Sequence, residues 1–230
     1  MPIGVIVNVF AVAIGGLVGT MVKDRMPEVY KVNLNMLFGM SSMGLGILSV
    51  ILAENMPAVI LSVILGTILG LLIHLSERIS SAAALMNPVK DGDNAQLITV
   101  IVLFCASGTG IYGAMVSGMS GDHGILISKS ILDFFTALVF ACSLGSSISK
   151  IAIPQGIVML TLFFLSRFIF PLTTPTMIND FKACGGMLMI ATGFRILQLR
   201  MFPTADMIPA MALVMPLSAL WTCVVIPLVS

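Results

Sequence analysis

Charge is scarce in this chain. Among 230 residues there are 11 Lys or Arg and 10 Asp or Glu. That is 9% charged residues, against about 25% in an ordinary soluble domain. A soluble globule of this length is therefore excluded, because it could not clothe its surface. The net charge of +1 offers no basic patch, so nucleic acid is not expected as a partner. Histidine occurs twice, at His74 and His123. The four cysteines, Cys105, Cys142, Cys184 and Cys223, fall singly in different apolar runs. With no Cys-x-x-Cys pair and no Cys/His spacing, neither a metal site nor redox chemistry is expected. No cofactor is indicated.

Apolar residues take the place of charge. They make up 58% of the chain, and the mean hydropathy is +1.12. Runs near the roughly 20 residues needed to cross a bilayer recur from end to end. They predict an all-α, polytopic transmembrane bundle of eight spans: Ile3–Val22, Leu34–Ala53, Met56–Leu75, Leu97–Met119, Ile127–Ser147, Ile151–Phe170, Phe181–Leu199 and Asp206–Val229. The first run lacks a basic leader, and "GGLVGTMVKDR" is a poor cleavage site, so it is read as a mature span. The longest link, Ser76–Gln96, is too short for a soluble domain. One membrane domain spanning 1–230 is expected, with the lipid bilayer as its surroundings.

With the N-terminus outside, Lys23, Arg25, Lys31, Arg78, Lys90, Lys150, Arg195 and Arg200 fall on the inner side. Only Lys129, Arg167 and Lys182 stay outside, so the positive-inside bias predicts both termini outside. Internal echoes suggest a repeat. "GVIVNVFAVAIGGLVG" returns as "TVIVLFCASGTGIYG", "KVNLN" as "KSILD", and "NMPAVILSVIL" as "AIPQGIVMLTL", in the same order and at nearly constant spacing. A shift of three spans reverses orientation. The echoes therefore predict inverted-topology repeats, about 1–75 and 97–170, followed by a hairpin at about 178–230. Such architectures belong mostly to secondary transporters.

The opening "MPIGVIVNVFAVAIGGLVG", the central "GMSGD…KSILDF" and the later "PQG" together resemble the YqgA/YdfK-like bacterial inner-membrane proteins, a family known as a domain of unknown function. The resemblance covers essentially the whole chain. It implies a bacterial cytoplasmic-membrane protein, of a family described as membrane or transport proteins with no assigned substrate, and it supplies no list of catalytic residues. Where it implies an acid and then two glycines before the seventh span, this chain has "NDFKACGG", with Asp180 slightly displaced.

An ionisable residue at membrane depth is costly and so marks a candidate site. Asp133 follows Lys129 by four residues on a predicted helix, which lets both face one side. Lys129 would lie near the outer surface and Asp133 about 6 Å deeper, at 1.5 Å per residue. Two readings compete. In one, Lys129 snorkels and merely neutralises Asp133. In the other, Asp133 binds a proton or cation on a polar path, with Asn35 as its counterpart in the first repeat. Asn8 and Gln155 add amides that can donate and accept, or simply bond helix to helix. Arg167 and Arg195 read as anchors at helix ends.

Gly15, Gly16 and Gly19, and Gly108, Gly110 and Gly113, leave flat faces for close packing and make a homodimer plausible. Alternatively "ASGTGIYG" breaks its helix, with Ser107 and Thr109 satisfying the freed backbone. Gly118–Gly121 spells the G-x-S-G of intramembrane serine proteases. The histidines are badly placed to serve Ser120, however, and a turn is the better reading. No enzymatic activity is expected. Methionines at helical spacing (Met36/Met40/Met43, Met115/Met119, Met207/Met211/Met215) suit packing better than Cu(I). The composite expectation is a secondary transporter of a small solute or ion. A channel of the same fold, or a non-transporting assembly or regulatory protein, is the alternative.

Overall fold

The computed structural model describes residues 1–22, 27–86, 100–101, 104–105 and 107–229. Helix is the only extended secondary structure among them. The helices are α1 (Ile3–Val22), α2 (Glu28–Val50), α3 (Met56–Leu72), α4 (Leu75–Met86), α5 (Gly108–Ser120), α6 (Gly124–Leu144), α7 (Ser147–Ile169), α8 (Pro175–Ile196) and α9 (Pro209–Leu220). A π turn, Trp221–Val225, and a last short helix, α10 (Ile226–Val229), continue α9.

Among the described residues, five helical stretches are long and apolar enough to span a bilayer: α1, α2, Gly124–Cys142, Ser147–Leu172 and Pro209–Leu228. A sixth results if α3 and Leu75–Ser81, bent by 56°, count as one. The sequence predicted eight. Helix α8 is long but carries Asp180, Lys182 and Arg195. Helix α5 is only half of the predicted fourth span, and residues 97–99, 102–103 and 106 of that span lie outside the described set. So do Lys23, Arg25 and Lys90, on which the orientation count partly rests.

Small residues set how the helices meet. Gly15 and Gly19 press α1 against the backbone of α6 at the Phe134 and Leu138 carbonyls. The contact runs parallel, because residue numbers rise together along both helices. Gly16 rests on Ser149, and Val9 on Gly156, which packs α7 antiparallel to α1. A Cβ at Gly46 would lie 2.7 Å from the Gly186 carbonyl, and one at Gly186 would lie 2.6 Å from the Gly46 carbonyl. Gly39 and Gly193 make a second such crossing, so α2 and α8 run antiparallel. Gly66 on Ala210 and Gly70 on Asp206 do the same for α3 and α9. In lipid, where burial offers no gain over hydrocarbon, backbone approach of this kind is what holds helices together.

Three apolar clusters fill the interior, the smallest of them Val5, Ala114, Leu126, Met159 and Phe163. Val12, Phe104, Ala137, Ala141, Ile148 and Ile151 join α1, α6 and α7. Tyr112, Phe181, Leu188, Met189, Met211 and Val214 join α5, α8 and α9. The large apolar side chains left exposed, such as Phe10, Leu48, Ile64, Ile157 and Phe168, lie along the outer faces of the helices.

Candidate functional site

Between the clusters lies a buried polar network. Lys129 and Asp133 sit one turn apart on α6, and the ammonium donates to Asp133 Oδ1 at 2.7 Å. The other carboxylate oxygen, Oδ2, accepts Asn8 Nδ2 from α1 at 2.9 Å and Gln155 Nε2 from α7 at 3.1 Å. Gln155 Nε2 also donates to Asn8 Oδ1 at 2.8 Å. Three helices thus meet on one carboxylate. The glycine contacts of α1 with α6 and α7 bring the backbones close enough for these short amides to reach it.

Lys129 does not snorkel: its side chain is 5% exposed, and that of Asp133 is 9%. The ammonium lies 6.0 Å from the Phe104 ring centroid. Isolated, either charge would cost a few kcal/mol at membrane depth. Paired and hydrogen-bonded, the two form a neutral group that the interior can hold. One atom is left over. Gln155 Oε1 is buried and accepts no hydrogen bond.

The fourth predicted span is interrupted beside this network. Phe104 and Cys105 are helical, whereas Ser107 has an extended backbone (φ −73°, ψ 136°) and caps α5 by accepting the Gly110 N–H at 3.1 Å. A cavity of about 40 Å³ opens at that point. Lys129, Asp133, Ser107, Thr109, Ser42 and Thr136 supply its polar lining, and Phe38 and Phe104 part of its apolar wall. Gly110 makes room for the lysine, since a Cβ there would come 3.1 Å from Lys129 Cε. Gly113 opens α5 toward Leu126 and Ile125 of α6. Gly108 is the first residue of α5.

Of the predicted polar path, Asp133, Lys129, Asn8 and Gln155 come together. Asn35 lies in α2, but its side chain is outside the described set. The approach of α2 to this region is marked by Phe38 stacked on Phe135, ring centroids 6.3 Å apart. At the start of α6, Gly121 (φ 72°) ends α5 in a left-handed turn. Ser120 Oγ donates back to the Val116 carbonyl, and His123 Nδ1 pairs with Ser117 Oγ at 2.7 Å instead of with Ser120. Met207, Met211 and Met215 belong to the apolar core, whereas Met36 and Met40 are exposed on α2.

A second buried carboxylate, Asp180, is named in the sequence only through the family resemblance and not as a site residue. Asp180 Oδ1 accepts the backbone N–H of Glu54 and of Asn55, both at 2.8 Å. Its Oδ2 accepts Asn55 Nδ2 at 3.0 Å and Ser218 Oγ at 2.6 Å. The carboxylate caps the entrance of α3, where backbone donors lack partners and the helix dipole favours negative charge. Asp206 serves α4 in the same way, accepting the Ser76 N–H at 2.8 Å. The available signal was local: "ENMP" and "ADMIP" both read as helix starts, each with Pro near the first turn. Which distant acid would serve the α3 start was not readable.

The family model described as "Protein of unknown function (DUF554)" matches residues 3–219. The chain is 46% identical over 231 residues to the uncharacterized protein YqgA of Escherichia coli (strain K12), an alignment covering 96% of this chain and 98% of that protein. It is 24% identical over 215 residues to the uncharacterized membrane protein YdfK of Bacillus subtilis (strain 168), covering 90% and 92% respectively. No solved structure matches. Apolar helices of spanning length, and a match along nearly the whole chain, lead to one conclusion: this is a membrane protein belonging to the DUF554 family.

Proposed function

We propose that this protein carries a small solute or ion across the bacterial cytoplasmic membrane by alternating access, with Asp133 at its centre. The observation that carries this reading is the Lys129–Asp133–Asn8–Gln155 network, gathered from three helices beside a cavity and a helix break. Purely structural glue needs no cavity and no break. In transporters, interrupted helices with polar backbone at membrane depth are tolerated where they line a substrate site.

We read an inverted repeat in the helix contacts as well, in a register different from the one the sequence echoes suggested. Gly39 meets Gly193 and Gly46 meets Gly186. Leu197 on Gly39 is mirrored by Val50 on Gly186, and Ile190 on Gly46 by Met43 on Gly193. These mirrored contacts match residues 147 positions apart, the separation of Asn8 from Gln155 and of Ser42 from its hydrogen-bond acceptor Met189. This relates α1 and α2 to α7 and α8. The antiparallel α3–α9 pair fits the same two-fold, which leaves α5 and α6 between the halves. The Asn8–Gln155 bond then lies on the pseudo-two-fold axis, where opposite rocking of the halves would open a path to either side. Both termini outside is the orientation we retain from the Lys and Arg count.

Flux in proteoliposomes tests the reading. Saturable uptake of a small solute is expected, and Asp133→Asn lowers it at least tenfold without unfolding the protein. Full flux in that variant removes Asp133 from the mechanism. Non-saturating conductance identifies a channel, and no flux of any solute identifies an assembly or regulatory protein.

A further inference from the structure

We propose that the cavity beside Lys129 binds a small monovalent anion together with a proton on Asp133. The inference rests on the transport reading and assigns its substrate class. At rest the site is neutral, because Lys129 and Asp133 cancel. A lone anion or a lone cation entering it would leave an uncompensated charge at membrane depth, which is strongly disfavoured. Two exchanges keep it neutral. A metal cation could replace the ammonium at Asp133 while Lys129 loses a proton. Alternatively, an anion could take the ammonium while Asp133 gains a proton.

The surroundings choose the second. The cavity is lined by Ser107 and Thr109, at the N-terminus of α5, whose partial positive charge attracts anions and repels cations. Lys129 lines it beside Asp133, and its ammonium is free to meet an anion once the carboxyl group takes a proton. A metal ion approaching Asp133 Oδ2 would meet the N–H groups of Asn8 and Gln155, which already occupy that oxygen.

Gln155 supplies an independent observation. Its Oε1 is fully buried without a donor, while its Nε2 lies 3.1 Å from Asp133 Oδ2. A half-turn of the amide, with Asn8 turning alongside because its Oδ1 now accepts from Nε2, would bring Oε1 to that oxygen, where a protonated carboxyl group would donate to it. The stranded oxygen is thus the acceptor that a proton on Asp133 requires.

The balance is simple. One proton from the aqueous phase bonds to Asp133, the Lys129 ammonium transfers its hydrogen bond from Oδ1 to the anion, and the site stays neutral. Among the described residues, Cys105, in the segment before α5, lies within electrostatic reach of the pair. The described faces of α1 and α7 contribute the amides, and those of α2 and α8 contribute hydroxyls. The cavity volume of about 40 Å³ admits only a few atoms, so formate and acetate are the fitting probes.

The test uses the full chain in lipid nanodiscs, with the unfolding midpoint followed against sodium formate, sodium acetate and sodium gluconate at matched ionic strength. Formate or acetate is expected to raise the midpoint at pH 5 and not at pH 8, with gluconate inert. Asp133→Asn mimics the protonated acid and leaves Lys129 to meet the anion, so formate or acetate should raise its midpoint at pH 8 as well as at pH 5. Lys129→Gln should weaken the apparent affinity at least tenfold. If that variant does not fold, Asp133→Asn still decides. Insensitivity of the wild type to both probes at pH 5, a pH-dependent response in Asp133→Asn, or a midpoint that follows sodium or potassium instead overturns the proposal. Anion binding without flux would leave this site standing and remove the transport reading. Cation flux without anion binding would do the reverse.

Discussion

At the scale of single residues, two buried carboxylates solve the same problem differently. Asp133 is matched by a cation and two amides, whereas Asp180 has only neutral donors, two of them backbone N–H groups. Removing Asp180 strands those donors, and each buried orphan costs about 1–3 kcal/mol. Asp180→Ala should therefore lower stability by about 3 kcal/mol or more, read as the shift in denaturant midpoint in mild detergent. Asp180→Asn retains shape and one acceptor, and should cost less. A neutral effect of the alanine variant would mean that water replaces the carboxylate. Lys129 and Asp133 were legible in the sequence because charge is rare there and their spacing is helical. Asn8 and Gln155 were legible as isolated polar residues in apolar runs. Their convergence on one oxygen was not, since nothing local relates positions 125 and 147 residues apart.

At the scale of elements, glycine decides which helices touch. A Cβ at Gly46 or Gly186 would collide with the backbone of the opposite helix, which cannot give way as a flexible side chain could. Gly46→Val and Gly186→Val should each destabilise by about 1–3 kcal/mol, as overpacking does. Their double variant should cost less than the sum, because one separation of α2 from α8 relieves both clashes. Gly44, whose added Cβ would meet nothing within 4 Å, is the control and should be nearly neutral to the same change. Additive costs would show that the two glycines do not share one crossing. Most helix positions follow from hydrophobic run length, and α1 matches its predicted limits. The two helix starts with Pro near the first turn were also readable. Helix α8 is the instructive case, because its charges weaken the apolar signal while Asp180 finds partners on α3 and α9.

At the scale of the whole molecule, the antiparallel contact of α1 with α7 is the place to test motion between halves. A Cβ at Gly156 would lie 4.0 Å from Val9 Cβ, within the range for a disulfide. In a chain otherwise free of cysteine, Val9→Cys with Gly156→Cys should cross-link on oxidation. If the halves rock, oxidation should stop flux and reduction should restore it. Flux that persists through complete cross-linking would mean that this contact stays closed throughout the cycle.

The sequence by itself determined the class of this protein. So little charge and so many long apolar runs leave only a membrane-embedded helical bundle, because a bilayer demands length and hydrophobicity from every span. It also named the four residues of the central network, because polar groups are conspicuous against hydrocarbon. Tertiary structure alone decided their arrangement. Apolar helices resemble one another by composition, so which of them touch was not readable in the sequence. The glycine crossings, set by backbone contact across 140 and more residues, pair the first helices with the last.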